Sequence, residues 1–334
     1  MKKIPVGIIG ISGYTGFVLL KILLQHPKFQ VNYLANSSGE DTLENIHPAL
    51  FQVSQYPIVK ANAKEAIKQC ELLFLALPHQ ESAKFCKEIL DEKPNMKIID
   101  LSADYRLNKE NYEANYGPHS DSENLKHAIY GLVEYQRENI KNATLIANPG
   151  CYPTASLLGL LPFLPYIDSS VFIDAKSGVS GAGKKLTNTT HYPFINENIF
   201  SYNPLKHRHQ IEIKEKCSLI GKKEVKINFV PHLTPLTQGM LVSIFATLKE
   251  EINPLEILKN QYANDPFIRI RKQSVDVINV RGTNFCDIYA QVLDNDLYVC
   301  TSIDNLMRGA SSQAIVNANL MFGFQEETGI PIIG

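Results

Sequence analysis

Along the first half of the chain, short continuous apolar runs alternate with stretches of helical spacing. Residues 3–9 are rich in β-branched side chains and predict a buried strand, and residues 17–25 carry apolar positions at helical spacing. Residues 30–34, 72–77, 97–101 and 144–147 predict further strands, and residues 81–90 a further helix. Buried strands alternating with helices predict a doubly wound, Rossmann-like parallel sheet over residues 1–150. Beyond that point the pattern changes. Strand-like segments at 171–175, 225–230, 241–248, 275–280, 288–292 and 297–303 outnumber the helical runs 155–161 and 211–219. This predicts an α+β domain with a mixed sheet over residues 151–305. Residues 310–322 read as a final apolar helix, and the segment 306–334 is expected to pack back on the first domain.

Two domains suit a chain of 334 residues. Thirty-three basic residues balance thirty-four acidic ones, so nothing points to a nucleic-acid groove or an anionic membrane surface. No apolar run approaches the ~20 residues that span a bilayer. The apolar stretch after Met1-Lys2-Lys3 is broken by Ser12-Gly13-Tyr14-Thr15-Gly16, which argues against a signal peptide. The six cysteines (70, 86, 151, 217, 286 and 300) show no CxxC pair and no metal-ligand spacing. They read as reduced thiols in a cytoplasmic protein, with no metal expected.

Within this frame a few stretches carry chemistry. The glycines of Gly7-Ile-Ile-Gly10-Ile-Ser12-Gly13-Tyr14-Thr15-Gly16 lie between the first strand and the first helix. Such a turn lets the backbone approach a pyrophosphate at a helix N-terminus, although glycine-rich loops also make plain turns. After the second strand an NAD-specific fold usually places an Asp or Glu on the ribose. Asn36-Ser37-Ser38 offers only small polar groups, which favours NADP, with Glu40 and Asp41 close by. Pro78-His79 and Ser102-Ala-Asp-Tyr-Arg106 follow strands, where ligands bind in open parallel sheets. His79 reads as a turn residue, and Arg106 as either a salt bridge or an anion site.

The chain is organised around Asn148-Pro149-Gly150-Cys151-Tyr152-Pro153. Pro149 and Gly150 force a turn, Pro153 suits the first turn of a helix, and Cys151 falls at the helix start. Unpartnered N–H groups and the helix dipole there favour a thiolate, which makes Cys151 the expected nucleophile. A Gly/Ser-rich loop at 176–185, containing Ser177, Ser180 and Gly181, could present donors to a phosphate or simply be a surface loop. His207-Arg208-His209, before a helix containing Glu212, supplies the acid/base candidates; histidines at i and i+2 suit zinc poorly.

GIIGISGYTG, LALPH, IDLSADYRL, ANPGCYPTA, DAKSGVSGAGKK, HRHQIEI, FVPHL, VRGTNFCDI and IDNLMRGASSQAIVNANLMFG occur in this order across almost the whole chain. Together they resemble the N-acetyl-gamma-glutamyl-phosphate reductases, relatives of aspartate-semialdehyde dehydrogenase. The resemblance implies NADPH-dependent reduction of an acyl phosphate to a semialdehyde with release of phosphate, in arginine biosynthesis, by a homo-oligomer, dimer or tetramer. It places the nucleophile on Cys151 and the acid/base on the pair His207 and His209, between which sequence does not decide; we rank His207 first and His209 second. It puts the cofactor on Gly10, Ser12, Gly13, Tyr14, Thr15, Gly16, Ser37, Ser38, Pro78, Ser180, Gly181 and Asn305. Ser102, Arg106, Asn148, Ser177, Arg208 and Glu212 are assigned to substrate and departing phosphate. Three positions depart from the family pattern: Ser37 where a basic residue is frequent, Ile211 where Pro is common, and His47-Pro48-Ala49-Leu50 for HPHL. Other readings remain: reductases of aspartyl or carrier-linked aminoadipyl phosphate, a cysteine hydrolase, or a nucleotide-binding redox regulator.

Overall fold

The computed structural model describes residues 2–39 and 41–334. Glu40, weighed above beside the ribose site, lies outside the described residues. Eight strands of the N-terminal half form one sheet: β1 (Ile4–Ile9), β2 (Phe29–Asn36), β3 (Asp41–Thr42), β4 (Pro57–Lys60), β5 (Leu72–Leu75), β6 (Lys97–Asp100), β7 (Ile129–Tyr130) and β8 (Leu145–Ala147). Their order is β3-β4-β2-β1-β5-β6-β8-β7, and every pairing is parallel except β3 with β4. Val6, Ile8, Ile9 and all of Leu72–Leu75 are fully buried. Strands covered by helices on both faces must be apolar on both sides, which is why they appear in sequence as unbroken runs. The order advances one way from β1 and the other way from β5, so the topological switch point lies between these neighbours. Ligands of doubly wound sheets bind at the carboxyl ends of strands there.

The second sheet contains β9 (Ile167–Gly178), β10 (Phe200–Ser201), β11 (Lys226–Thr234), β12 (Met240–Leu248), β13 (Ile268–Ile270), β14 (Cys286–Leu293) and β15 (Asp296–Ile303). The order is β10-β11-β9-β12-β15-β14-β13. It is mixed: β9–β11 and β13–β14 are parallel, the other pairings antiparallel. One face packs on the Cys151–Leu160 helix, whose residues after Cys151 are all buried. A side chain at Gly159 would meet Thr301 Cγ2 at 2.7 Å, so helix and sheet are pressed together there. The opposite face is open. The cross-strand row Phe172, Phe245, Tyr298, Gln291 runs along it, with Phe172 57% and Phe245 47% exposed.

By compactness the chain divides into Met1–Pro149 with Ala310–Ile330, and Gly150–Gly309 with Pro331–Gly334. Two local expectations need correcting. Residues 275–280 form no strand. The Asp276 carboxylate takes both the backbone N–H and the side-chain amide of Asn279, closing a turn where the β-branched residues suggested an extended run. The expected loop from 176 begins later, because Lys176, Ser177 and Gly178 continue β9 between β11 and β12, and a short 3-10 turn, Val179–Ala182, follows.

Candidate active site

At the carboxyl end of β1 the glycines have separate physical reasons. Gly10 has φ +97°, and a Cβ there would lie 2.2 Å from the Ala76 carbonyl oxygen that follows β5. Gly16 brings the Tyr14–Gln25 helix onto the turn, since a Cβ would fall 2.5 Å from the Gly10 oxygen. Gly13 differs: the nearest atom to a Cβ there would be the Gly10 oxygen, 3.8 Å away. It is also the N-cap of that helix, with no side chain capping it. Open space over bare backbone at a helix N-terminus is the cradle that a pyrophosphate fills. The cofactor expected from sequence therefore fits. His47 braces the loop, its Nε2 donating to the Ile11 carbonyl at 2.6 Å and its ring stacked on Phe17.

At the end of β2, Asn36 organises the neighbouring turn. Its Nδ2 donates to Ser12 Oγ at 3.2 Å, and its Oδ1 accepts from the N–H groups of Ser38 and Gly39 and from the Ser38 hydroxyl. Ser37, Ser38, Tyr14 and Pro78 are exposed, and Thr15 is half-buried. His79 is a turn residue, as expected, its Nδ1 accepting from the Ala103 N–H.

Three residues assigned to substrate hydrogen-bond to groups of the scaffold. Ser102 is buried, and its hydroxyl donates to Asp100 Oδ2 at 2.8 Å while accepting from the Asp104 N–H. Asp100 is itself pushed up to about 6 by burial and by the neighbouring Asp104 charge. Buried Arg106 donates through Nε to the Asn148 carbonyl and through Nη2 to the Leu101 carbonyl, both at 2.8 Å. Asn148 donates through Nδ2 to the Ala310 carbonyl and accepts from Asn317 Nδ2. Arg106 and Asn148 thereby link the ends of β6 and β8 to one another and to the Ser312–Met321 helix, while Ser102 is held within its own turn.

Cys151 is the first residue of its helix and the one half-buried cysteine; the other five are buried. Burial pushes the thiols of Cys70 and Cys217 up to about 12, so they stay protonated. Gly309 faces Cys151 so closely that a Cβ there would sit 2.7 Å from the Cys151 Cβ. The next residue, Tyr152, is buried and donates to the His232 carbonyl at 3.2 Å while accepting from the Tyr202 hydroxyl at 3.1 Å. Its ring stands edge-on to both His207, at 5.7 Å, and His209, at 5.8 Å. The histidine pair is therefore brought beside the nucleophile's helix start.

Tyr152, Tyr202, Phe229 and His209 surround His207. Burial, helped by the Arg208 charge, lowers His207 to about 4. Its Nδ1 accepts the His209 N–H at 3.1 Å, which leaves the neutral ring's proton on Nε2. Arg208 is exposed. Glu212 is buried and accepts the Gly150 N–H at 3.0 Å. Farther along, Asn305 accepts from the Gly239 N–H and donates to Ser180 Oγ, so Asn305 holds the 179–182 turn. Gly181 lies exposed on that turn, and buried Ser177 donates to the Gly178 carbonyl. No cluster suited to a metal occurs among the described residues, and no described helix is long and apolar enough to cross a membrane.

Sequence reasoning missed Gly309, His47 and the aromatic box. Gly309 left one trace, a glycine at the head of an apolar helical run, which commonly marks close packing. The box left none, because Tyr152, the stretch from Tyr202 to His209, and Phe229 come from three separate segments.

The semialdehyde dehydrogenase NAD binding domain matches residues 5–143, and the semialdehyde dehydrogenase dimerisation domain matches residues 151–305. The N-acetyl-gamma-glutamyl-phosphate reductase of Wolinella succinogenes is 61% identical over 333 residues, covering 99% of this chain and 98% of its own. That of Sulfurovum sp. is 54% identical over 332 residues with the same coverage. Among solved structures, aspartate semialdehyde dehydrogenase II from Vibrio cholerae matches with TM-score 0.73 at 16% identity, over 97% of this chain and 99% of that one. The Candida albicans enzyme, solved with NADP, matches with TM-score 0.72 at 13% identity, over 96% and 99%. At such identities the likeness is one of fold. The end-to-end match to the reductases goes further: this chain belongs to the N-acetyl-gamma-glutamyl-phosphate reductase family.

Proposed function

We propose that the chain reduces N-acetyl-L-glutamyl 5-phosphate to N-acetyl-L-glutamate 5-semialdehyde, with release of phosphate, in arginine biosynthesis in the cytoplasm. The observation that carries the reading is the single half-buried thiol at a helix start, with Tyr152 beside it placing two histidines.

Cys151 thiolate attacks the acyl carbon; the carbon–sulfur bond forms, the carbon–oxygen bond to phosphorus breaks, and phosphate leaves. The product is a thioester on Cys151. NADPH, when bound, supplies the hydride for the thioester carbon. Gly10, Ser12, Gly13, Tyr14, Thr15 and Gly16 would hold its pyrophosphate and Ser37 and Ser38 its ribose phosphate, with Pro78 beside them; Ser180, Gly181 and Asn305 stay cofactor contacts expected from the sequence. Backbone N–H groups in the first turn of the Cys151 helix stabilise the thiohemiacetal oxygen. Collapse of the thiohemiacetal requires proton movement as the carbon–sulfur bond breaks and the thiolate is restored. His207, neutral and protonated on Nε2, donates a hydrogen bond; His209 is the group that moves the proton. This reverses the ranking of the two histidines from sequence, because a ring lowered to about 4 carries no proton on Nδ1 at neutral pH. Arg208, exposed at the head of the same helix, suits the substrate carboxylate.

The open sheet face with Phe172 and Phe245 suits a second copy of the chain, in keeping with the dimerisation-domain match. Phe172→Glu with Phe245→Glu should then yield monomers in light scattering. For the chemistry, the reaction is run backwards from semialdehyde, phosphate and NADP, following NADPH by absorbance. In the absence of phosphate, mass spectrometry should find the N-acetylglutamyl group on Cys151. No NADPH formation, or an acyl group on another residue, would overturn the reading.

A further inference from the structure

We infer that Glu212 is a positioning residue that caps the nucleophile's helix from a second helix and does not contact substrate. The inference rests on the covalent role of Cys151 proposed above. The Cys151–Leu160 helix has Gly150 as its N-cap, and no side chain caps it from there. A capping box meets the same need with a Glu or Gln at the third helical position, reaching back to the N-cap N–H. Here that position is Pro153, which has no such group. The Gly150 N–H donates instead to Oε1 of Glu212, 62 residues farther along.

Glu212 is 1% exposed and lies in the first turn of the His209–Leu219 helix. One carboxylate therefore ties the backbone directly before the nucleophile to the turn that carries the histidines. Its charge has a second consequence. A helix N-terminus favours the thiolate, and a carboxylate at the same corner opposes that. Glu212 thus holds Cys151 in place and sets how much of it is ionised. The other titratable and charged groups at this corner are Tyr152 and Tyr202, which interact electrostatically with Cys151, and His207, Arg208 and His209. Arg308 precedes Gly309 on the segment packed against Cys151, and the Asp304 backbone carbonyl accepts the Gly309 N–H. Glu212→Gln keeps all of them and keeps an acceptor for the Gly150 N–H.

The test follows alkylation of Cys151 by iodoacetamide against pH, in the full chain without substrate, with the labelled residue identified by mass spectrometry. Turnover is measured in parallel. In Glu212→Gln the alkylation midpoint should fall by about one pH unit, with turnover within about tenfold of wild type. Glu212→Ala, which loses the acceptor, should lose about 10²-fold in kcat, the scale of a small misplacement of a reacting group. Should the alanine variant fail to fold, the glutamine variant still decides. An unchanged alkylation midpoint in Glu212→Gln, or a rise in KM with kcat intact in either variant, would overturn the inference and return Glu212 to the substrate. A wild-type chain that alkylates at Cys151 but never turns over would instead sink the reductase reading.

Discussion

Two corners of this molecule share one local plan and use it differently. At Gly13 and at Gly150 the chain passes through a glycine N-cap into a helix, and at neither does a side chain cap the helix from the N-cap position. At the first corner the space over Gly13 is open, with nothing closer than 3.8 Å to an added Cβ. At the second, Gly309 closes on Cys151 and Glu212 takes the Gly150 N–H. Bare donors beneath open space receive an anion brought from outside; donors hemmed in by fixed groups hold a nucleophile that the chain itself provides. The helix terminus supplies a field, and what packs over it decides the use.

The largest expected effect falls on the closed corner. Cys151→Ser should lower turnover by on the order of 10³-fold or more, as loss of a nucleophile usually does, while NADPH affinity, measured by fluorescence titration, stays within twofold to threefold. A serine variant that kept wild-type turnover would remove the distinction between the corners. Next come the histidines. His209→Asn should cost roughly 10² to 10⁴ in kcat, the range for a lost general acid–base group. His207→Asn should cost less and leave the pH profile unmoved above about pH 5, because His207, at about 4, is neutral throughout that range. If His207→Asn alone abolished a limb of the profile near neutrality, the proton would have to be assigned to His207 after all.

Reciprocal substitutions sharpen the comparison. Gly13→Val fills the open cradle and should weaken NADPH binding by about 10²-fold, leaving Cys151 alkylation untouched. Gly309→Ala places a methyl 2.7 Å from the Cys151 Cβ, so the nucleophile must move. It should lower kcat by about 10²-fold with NADPH binding preserved. If Gly309→Ala weakened the cofactor as much as Gly13→Val does, the corners would not be independent in the way their surroundings suggest.

What could be read in advance follows the same division. The glycine corner is governed largely by neighbours in sequence: Gly13 and Gly16 answer to the turn at Gly10 and Ile11, and only Gly10 meets a distant residue, Ala76. Its placement in a parallel sheet was therefore legible from periodicity. The cysteine corner was legible only in its covalent part, Pro149 to Pro153. Glu212 and Gly309 arrive from 62 and 158 residues away, and no local pattern announces which carboxylate or glycine will land there. Ser102, Arg106 and Asn148 teach the converse. Polar residues after a strand end look like ligand contacts, yet acceptors inside the fold also need donors: Arg106 serves the Leu101 and Asn148 carbonyls, Asn148 the Ala310 carbonyl and Ser102 the Asp100 carboxylate. The same local restraint explains the strand over 275–280 that did not form. A single Asp276 side chain made a turn cheaper than extension.

The smallest expected effect concerns the rim of the open corner, where the choice between two cofactors is made. Asn36 gathers the N–H groups of Ser38 and Gly39 on its Oδ1, which fixes the turn after β2 and leaves Ser37 exposed at the strand's end. An aspartate there would accept from a ribose 2′-hydroxyl and repel a 2′-phosphate. Because Ser37 is exposed, solvent screens much of that repulsion, and the change should be modest. Ser37→Asp should lower kcat/KM for NADPH by about tenfold and raise it slightly for NADH, at low salt, with the gap narrowing as salt is added. Comparison of the two cofactors in both proteins reads this directly. Wild-type chain that already favoured NADH would show that small polar groups at the β2 end do not select the phosphate, and the preference would then have to come from elsewhere on the rim.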